Sequence, residues 1–255
     1  GLLLIPGEEV TVREPFNIHL GAIGIDSYVE PIYGTDSLDT LISNVEAIET
    51  ANGISILNHP NFRWAVNDEL IKNVDRLNFF EVYNGGTHNN DLGDLGEGER
   101  KSTENIWDSV LSSEKMIYGV AADDSHRYKY FHPSFSNPGR GWVMVKAESN
   151  NQHDILNNFS KGNFYSSTGI YISDFLMNKN EISFDIDLDP IKIHFQTPKI
   201  SDAVFKTQFI GNNGIILDET FGLSPSYKIK GTEKYVRVVI SNSDGFKAWL
   251  QPYFI

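Results

Sequence analysis

An α/β fold over the first two thirds of the chain, followed by an all-β unit, is what this sequence predicts, on three observations. Short apolar runs alternate with helical periodicities as far as about residue 170. From residue 171 onward the helical periodicity stops, and strand-like runs follow one another between turn signals. The 255 residues suffice for one large domain, or for a medium domain with a small companion.

The elements follow in order. Leu2 to Ile5, Phe16 to His19, Ile54 to Leu57, Phe79 to Tyr83, Met116 to Ala121 and Gly141 to Val145 are short, apolar or β-branched, and bounded by turn formers, as inner strands are. The clearest helix runs from Ser37 to Asn52, where Leu38, Leu41, Ile42, Val45 and Ile48 recur at three- and four-residue spacing between an Asp36-Ser37 start and Gly53. Shorter patterns predict helices over Asp68 to Val74, Thr103 to Leu111 and His153 to Phe159, the last closed by Gly162. Gly85, Gly86, Gly93, Gly96 and Gly98 deny a regular element to the stretch from Asn84 to Arg100, which reads as a long loop. Residues 1–170 are thus expected to form one domain and 171–255 a small β-sandwich, with Ile182 to Ile186, Ile191 to Phe195, Tyr235 to Ile240 and Trp249 to Ile255 among its strands.

Charge and composition remove several function classes. A net charge of −13 repels the phosphate backbone, so general nucleic-acid binding is not expected. The absence of cysteine excludes disulfides, thiolate metal sites and a cysteine nucleophile. No apolar run approaches the ~20 residues needed to span a bilayer. Leu2 to Ile5 lacks the basic flank and length of a signal peptide. None of this selects a compartment.

Four times a potential metal ligand follows an apolar run: Glu9 after Leu-Leu-Leu-Ile-Pro-Gly-Glu, His19 after Phe-Asn-Ile, His59 after Ile-Ser-Ile-Leu-Asn, and Asp124 with His126 after Ile-Tyr-Gly-Val-Ala-Ala-Asp. Residues at the C-terminal ends of parallel strands meet on one face, which is how such folds assemble chemistry. Imidazole and carboxylate suit Zn, Mn or Fe. Singly, each has a plainer reading: a hydrogen-bonded structural histidine, a turn marked by Pro60, or a capped turn at Asp124-Ser-His126. The recurrence favours metal.

The same residues resemble the PHP domain, named for polymerases and histidinol phosphatases, in its CehA/McbA-like branch. The resemblance rests on Ile-Pro-Gly-Glu-Glu9-Val-Thr, His19-Leu-Gly-Ala-Ile-Gly-Ile, Leu-Asn-His59-Pro-Asn and Gly-Val-Ala-Ala-Asp-Asp124-Ser-His126. Phe-Glu81-Val-Tyr-Asn84, Gly-Arg140-Gly-Trp142 and Gly-Asn-Phe-Tyr165-Ser-Ser-Thr-Gly reinforce it, and together these span residues 1 to about 170. It implies a distorted (β/α)7 barrel with up to three divalent metal ions at its mouth. In that arrangement Glu9 bridges two metals, His19 and His59 complete the second site, Asp124 serves the first and His126 the third. The implied substrate is a small phosphate ester cleaved by metal-activated water. Carbamate or amide hydrolysis on the same fold, or metal binding without turnover, are the alternatives. The family pattern also places a His-x-His pair ahead of Gly7, where six residues stand. The chain is therefore expected to hold the C-terminal portion of the barrel, with Asp124 and His126 short of partners.

Other residues carry weaker expectations. Arg140, in Pro-Gly-Arg-Gly-Trp, could hold a substrate oxyanion or pair with a surface carboxylate. His88 and His132 could reach the site as proton donors. Glu8 and Asp123 could orient water or the neighbouring histidines, or remain solvated. Glu81 and Asn84 are expected near the same mouth. Tyr165 reads as core, and His153 and His194 as structural or surface groups. A further reading makes the β-unit a carbohydrate- or partner-binding module through Tyr171, Phe205, Phe221 and Tyr227, although such aromatics usually fill a core.

Overall fold

The computed structural model describes residues 1–94, 100–190 and 202–255. The expected strand over 191–195, His194, Gly96 and Gly98 lie outside the described residues.

The first sheet has five strands in sequence order: β1 (Gly7–Val12), β2 (Ile18–Ile23), β3 (Ile54–Leu57), β4 (Phe79–Asn84) and β5 (Tyr118–Ala122). β1, β2 and β3 pair antiparallel, while β3, β4 and β5 pair parallel. Helices α1 (Ser37–Thr50), α2 (Asp68–Lys72) and α3 (Thr103–Ser112) connect the later strands. The Asp36 carboxylate caps α1 by accepting from Asp39 N–H, and Leu41, Val45 and Ile48 form its buried stripe. α3 starts at Ser102, which caps Asn105 N–H, and buries Ile106, Trp107, Val110 and Leu111.

The closed (β/α)7 barrel implied by the family resemblance is not formed. The sheet is open, with β1 and β5 at opposite edges. A TIM-like barrel needs parallel pairing throughout, and the β1-β2-β3 meander is antiparallel. Apolar spacing marks strands but not their mutual direction. The strand expected over Leu2 to Ile5 is absent; Leu2 and Leu4 face solvent, and pairing begins at Gly7.

After β5 the chain enters a six-stranded antiparallel sheet. It contributes β6 (Trp142–Val145), α4 (Gln152–Ser160) and β7 (Phe164–Ser167), followed by β8 (Tyr171–Met177) and β9 (Glu181–Asp187). Then come β10 (Phe205–Ile210), β11 (Ile216–Phe221), β12 (Ser226–Lys228), β13 (Tyr235–Asn242) and β14 (Lys247–Phe254). The order of the large sheet is β11-β10-β13-β14-β7-β6, and β12-β9-β8 form a third sheet. On one face of the large sheet Phe209, Val238 and Leu250 pack with Ile182, Phe184 and Tyr227 of the third. On the other, Tyr235, Val239 and Trp249 join the core of α3 and the first sheet. The large sheet therefore takes strands from both sides of residue 170.

Two polar joints hold the first sheet to the second. Arg237 on β13, only 1% exposed, donates from Nε and Nη2 to the Asp108 carboxylate on α3, both at 2.6 Å. Tyr235 O–H adds a third bond at 2.9 Å. The outer edge of β5 meets side chains instead of a strand. Gln251 accepts from Gly119 N–H and donates to Gly119 C=O, each at 2.9 Å, while Ser166 Oγ accepts from Ala121 N–H at 3.0 Å. Residue 119 must be glycine, because a Cβ would lie 2.8 Å from the Trp107 ring.

No helix among the described residues is long and apolar enough to cross a membrane.

Candidate metal centre

Hairpin register builds half of the site. Glu9 pairs with Gly21 and Thr11 with His19, so Glu9 and His19 are diagonal neighbours on one face of β1-β2. Both sit within their strands and not, as the apolar runs suggested, just beyond strand ends. Val10 and Val12 bury the opposite face. His59 arrives from the turn after β3, where Asn58 N–H donates to His19 C=O at 3.0 Å. Gly21 leaves room beside Glu9 for the Asn58 amide, which accepts from Gly21 N–H at 3.0 Å and donates to Glu9 Oε1 at 2.9 Å.

The three side chains converge on one oxygen. Glu9 Oε1 lies 3.4 Å from His19 Nδ1 and 3.4 Å from His59 Nε2. Among the described residues they are the one set of three histidine or carboxylate side chains whose ligand atoms all fall within 4.8 Å of one another. The imidazoles meet edge to face at 5.0 Å, and the Phe62 ring lies 5.6 Å from His19 and 5.3 Å from His59. Two imidazoles and a carboxylate beside an aromatic wall form a donor set that fits Zn, Mn or Fe.

The electrostatics keep the carboxylate ionised. Burial acts to raise the Glu9 carboxyl, but hydrogen bonds from His19, His59 and Asn58 outweigh it and hold it well below the usual carboxylate range. Burial acts to lower His59, but Glu9, Glu81 and Asp124 outweigh it and raise it above its ordinary value.

A buried polar chain supports His59. Its φ is 23°, in the left-handed region, and its N–H donates to Glu81 Oε2 at 2.7 Å. Glu81 also accepts from Asn84 Nδ2 at 2.7 Å, and Asn84 Oδ1 accepts from Asn89 Nδ2 and from Gly86 N–H. Asn89 reaches Asp124 Oδ2 at 3.4 Å. Burial pushes Glu81 up to about 7. The chain thus runs from the three-residue cluster to the Asp124 turn.

The other expected residues are distributed around this centre. Asp124, at φ 47°, and His126 partner each other: His126 Nδ1 lies 2.7 Å from the Asp124 carbonyl and 3.5 Å from its carboxylate. Both stand outside the three-residue cluster. Asp123 accepts from the backbone N–H groups of Gly139, Arg140 and Gly141 at 3.0, 2.6 and 2.9 Å. The Arg140 guanidinium donates to the carbonyls of Gly85, His132 and Pro133, so it clamps loops. Glu8 accepts from Val29 N–H at 2.7 Å, and neither it nor Asp123 touches a cluster histidine in this way. His132 is exposed and accepts from Ser134 N–H; His88 and His153 are exposed. Tyr165 packs against the β-sheet core, accepts from Ile172 N–H at 3.2 Å, and is pushed by burial up to about 12. Phe205 and Tyr227 are core residues, whereas Phe221 is exposed. Sequence reasoning passed over Asn58, Phe62 and Asn89. Asn58 was legible, since it shares the alternation Ser55-Leu57 opposite Ile56-Asn58 and directly precedes the candidate ligand His59.

Fold and site together define a protein with an open α/β sheet, two packed antiparallel sheets and a two-histidine, one-carboxylate cluster. No protein-family model matches the chain, and no curated protein matches it.

Proposed function

We propose that this protein is a metal-dependent hydrolase that cleaves small phosphate esters, with Glu9, His19 and His59 holding a divalent Zn, Mn or Fe ion. The convergence of three ligand atoms within 4.8 Å carries the reading, and the motif resemblance to PHP-type hydrolases supplies the reaction class. A closed barrel is not required, because the hairpin β1-β2 and the turn after β3 build the cluster. An ion bound there supplies Lewis acidity that polarises an ester and acidifies water.

The chain's own groups do the rest. Anionic Glu9 offsets cation charge, and Asn58 fixes its carboxylate plane. Glu81 holds the His59 backbone and Phe62 shields both imidazoles from solvent. His126 Nδ1–H donates to the Asp124 carbonyl, which can only accept, and this bond fixes the orientation of the imidazole. A second reading, metal binding without turnover, is favoured by the position of Asp124 and His126 outside the cluster.

Metal analysis of the purified protein, with hydrolysis of mono- and diester substrates, separates these readings. The hydrolase gives about one or more metal ions per chain and metal-dependent turnover, both lost in His59→Ala. Bound metal without turnover on any ester supports the second reading. Absence of metal overturns both.

A further inference from the structure

We infer that the loop between Asp124 and Arg140 is a recognition surface for the aromatic group of an anionic ester, which rests on the hydrolase reading and specifies its substrate class. Residues 125–147 contain no aspartate or glutamate, in a chain whose net charge is −13. Arg127 and Lys129 alternate there with Tyr128, Tyr130 and Phe131, whose exposures are 69%, 77% and 70%. Exposed aromatics between cations match a ligand that is both planar and negatively charged.

Hydrogen bonds order the backbone that carries these rings before any ligand arrives. Asn137, only 4% exposed, donates to the carbonyls of Arg127 and Tyr130 at 2.7 and 2.9 Å and accepts from His132 N–H at 2.9 Å. The N–H groups of His126 and Arg127 both donate to Ser136 C=O, at 2.9 and 3.0 Å. Arg140 closes the base of the loop through the His132 and Pro133 carbonyls at 3.0 Å. A surface ordered in this way loses less freedom on binding. The loop adjoins the Asp124–His126 pair, which the Asn89–Asn84–Glu81 chain links to His59: Tyr128 O–H donates to Ser125 C=O at 2.7 Å, so its ring folds back to the residue between Asp124 and His126.

Phenylphosphonate and methylphosphonate, neither of which can be hydrolysed at phosphorus, test this by titration calorimetry on the metal-loaded full chain. Phenylphosphonate is expected to bind about tenfold tighter. The double variant Tyr130→Ser/Phe131→Ser brings the ratio to about one, whereas Phe221→Ser, altering an exposed aromatic on β11, preserves it. Equal binding of the two phosphonates to the wild type, or a ratio that survives the loop double variant, overturns the inference and leaves the hydrolase reading standing. Failure of both to bind overturns the two together. Loop-dependent binding to anionic phospholipid vesicles without phosphonate discrimination assigns the aromatics to a membrane surface and also overturns it.

Discussion

Replacing Asp108 by alanine removes the acceptor of the buried joint between α3 and β13. The carboxylate receives two bonds from Arg237 at 2.6 Å and one from Tyr235 at 2.9 Å. Arg237, 1% exposed with its guanidinium 5.0 Å from the Trp107 ring, is left as a buried charge. Breaking a buried pair by removing one partner destabilises by about 3–5 kcal/mol. Glu104 stands 3.7 Å from Nη1 and retains part of the compensation, which places the expected loss near the lower end, about 3 kcal/mol. That is a large part of the ~5–15 kcal/mol that holds a typical domain together. Urea unfolding followed by tryptophan fluorescence and far-UV circular dichroism should show the lower midpoint with an unchanged slope. Asp108→Ala/Arg237→Met, which leaves no stranded charge, should recover at least half of the loss. A single-variant loss below about 1 kcal/mol, or a double variant no more stable than the single, would refute the reasoning.

Saturating Zn should raise the melting temperature of the wild type, by a free energy of about 2.7 kcal/mol at a hundredfold excess over Kd, and His19→Ala or Glu9→Gln should abolish the shift. Zn affinity should fall on acidification, because the ion needs a neutral imidazole and His59 takes up its proton above the ordinary value; titrations that show no such dependence would contradict His59 as a ligand. Without metal the sign reverses: His59 is raised from 6.5, so its contribution to stability is full below that value and is lost as pH rises through the raised one. Glu81→Ala should weaken Zn binding by about 10–100-fold while Glu81→Gln, which keeps an acceptor for His59 N–H, recovers part of it. In Gly21→Ala the new Cβ would sit 3.1 Å from Asn58 Oδ1, so calorimetry should find weaker Zn binding through displacement of the amide that fixes Glu9.

Much of this was legible, and the reasons for what was not are physical. The period of α1 identified it because its buried stripe packs on one side only. Glu9, His19 and His59 were recognisable as donor types, but their meeting depends on hairpin register, which pairs Glu9 with Gly21 and which composition does not encode. Leu2 to Ile5 is apolar without alternation and forms no strand, whereas Val10 and Val12, alternating with Glu9 and Thr11, hold the true period-two signal. The barrel failed on strand direction, and the partners of Arg140 were not legible, because the three carbonyls to which its guanidinium donates come from loop residues 7, 8 and 55 positions away in sequence. Asp124 and His126 came out as a pair of their own, joined to the cluster among the described residues through Asn89, Asn84 and Glu81.

The amide of Gln251 reproduces, for one residue, what a neighbouring strand would offer β5. Its partner Gly119 lies 132 residues upstream, so a growing polypeptide exposes that strand edge long before the group that seals it has been synthesised. An unpaired edge is where chains recruit one another. Throughout that interval the nascent first sheet is most open to association with other nascent chains. Gln251→Ala should therefore reveal itself less in the melting of folded protein than in the fraction recovered soluble, with slower translation or lower temperature restoring the yield.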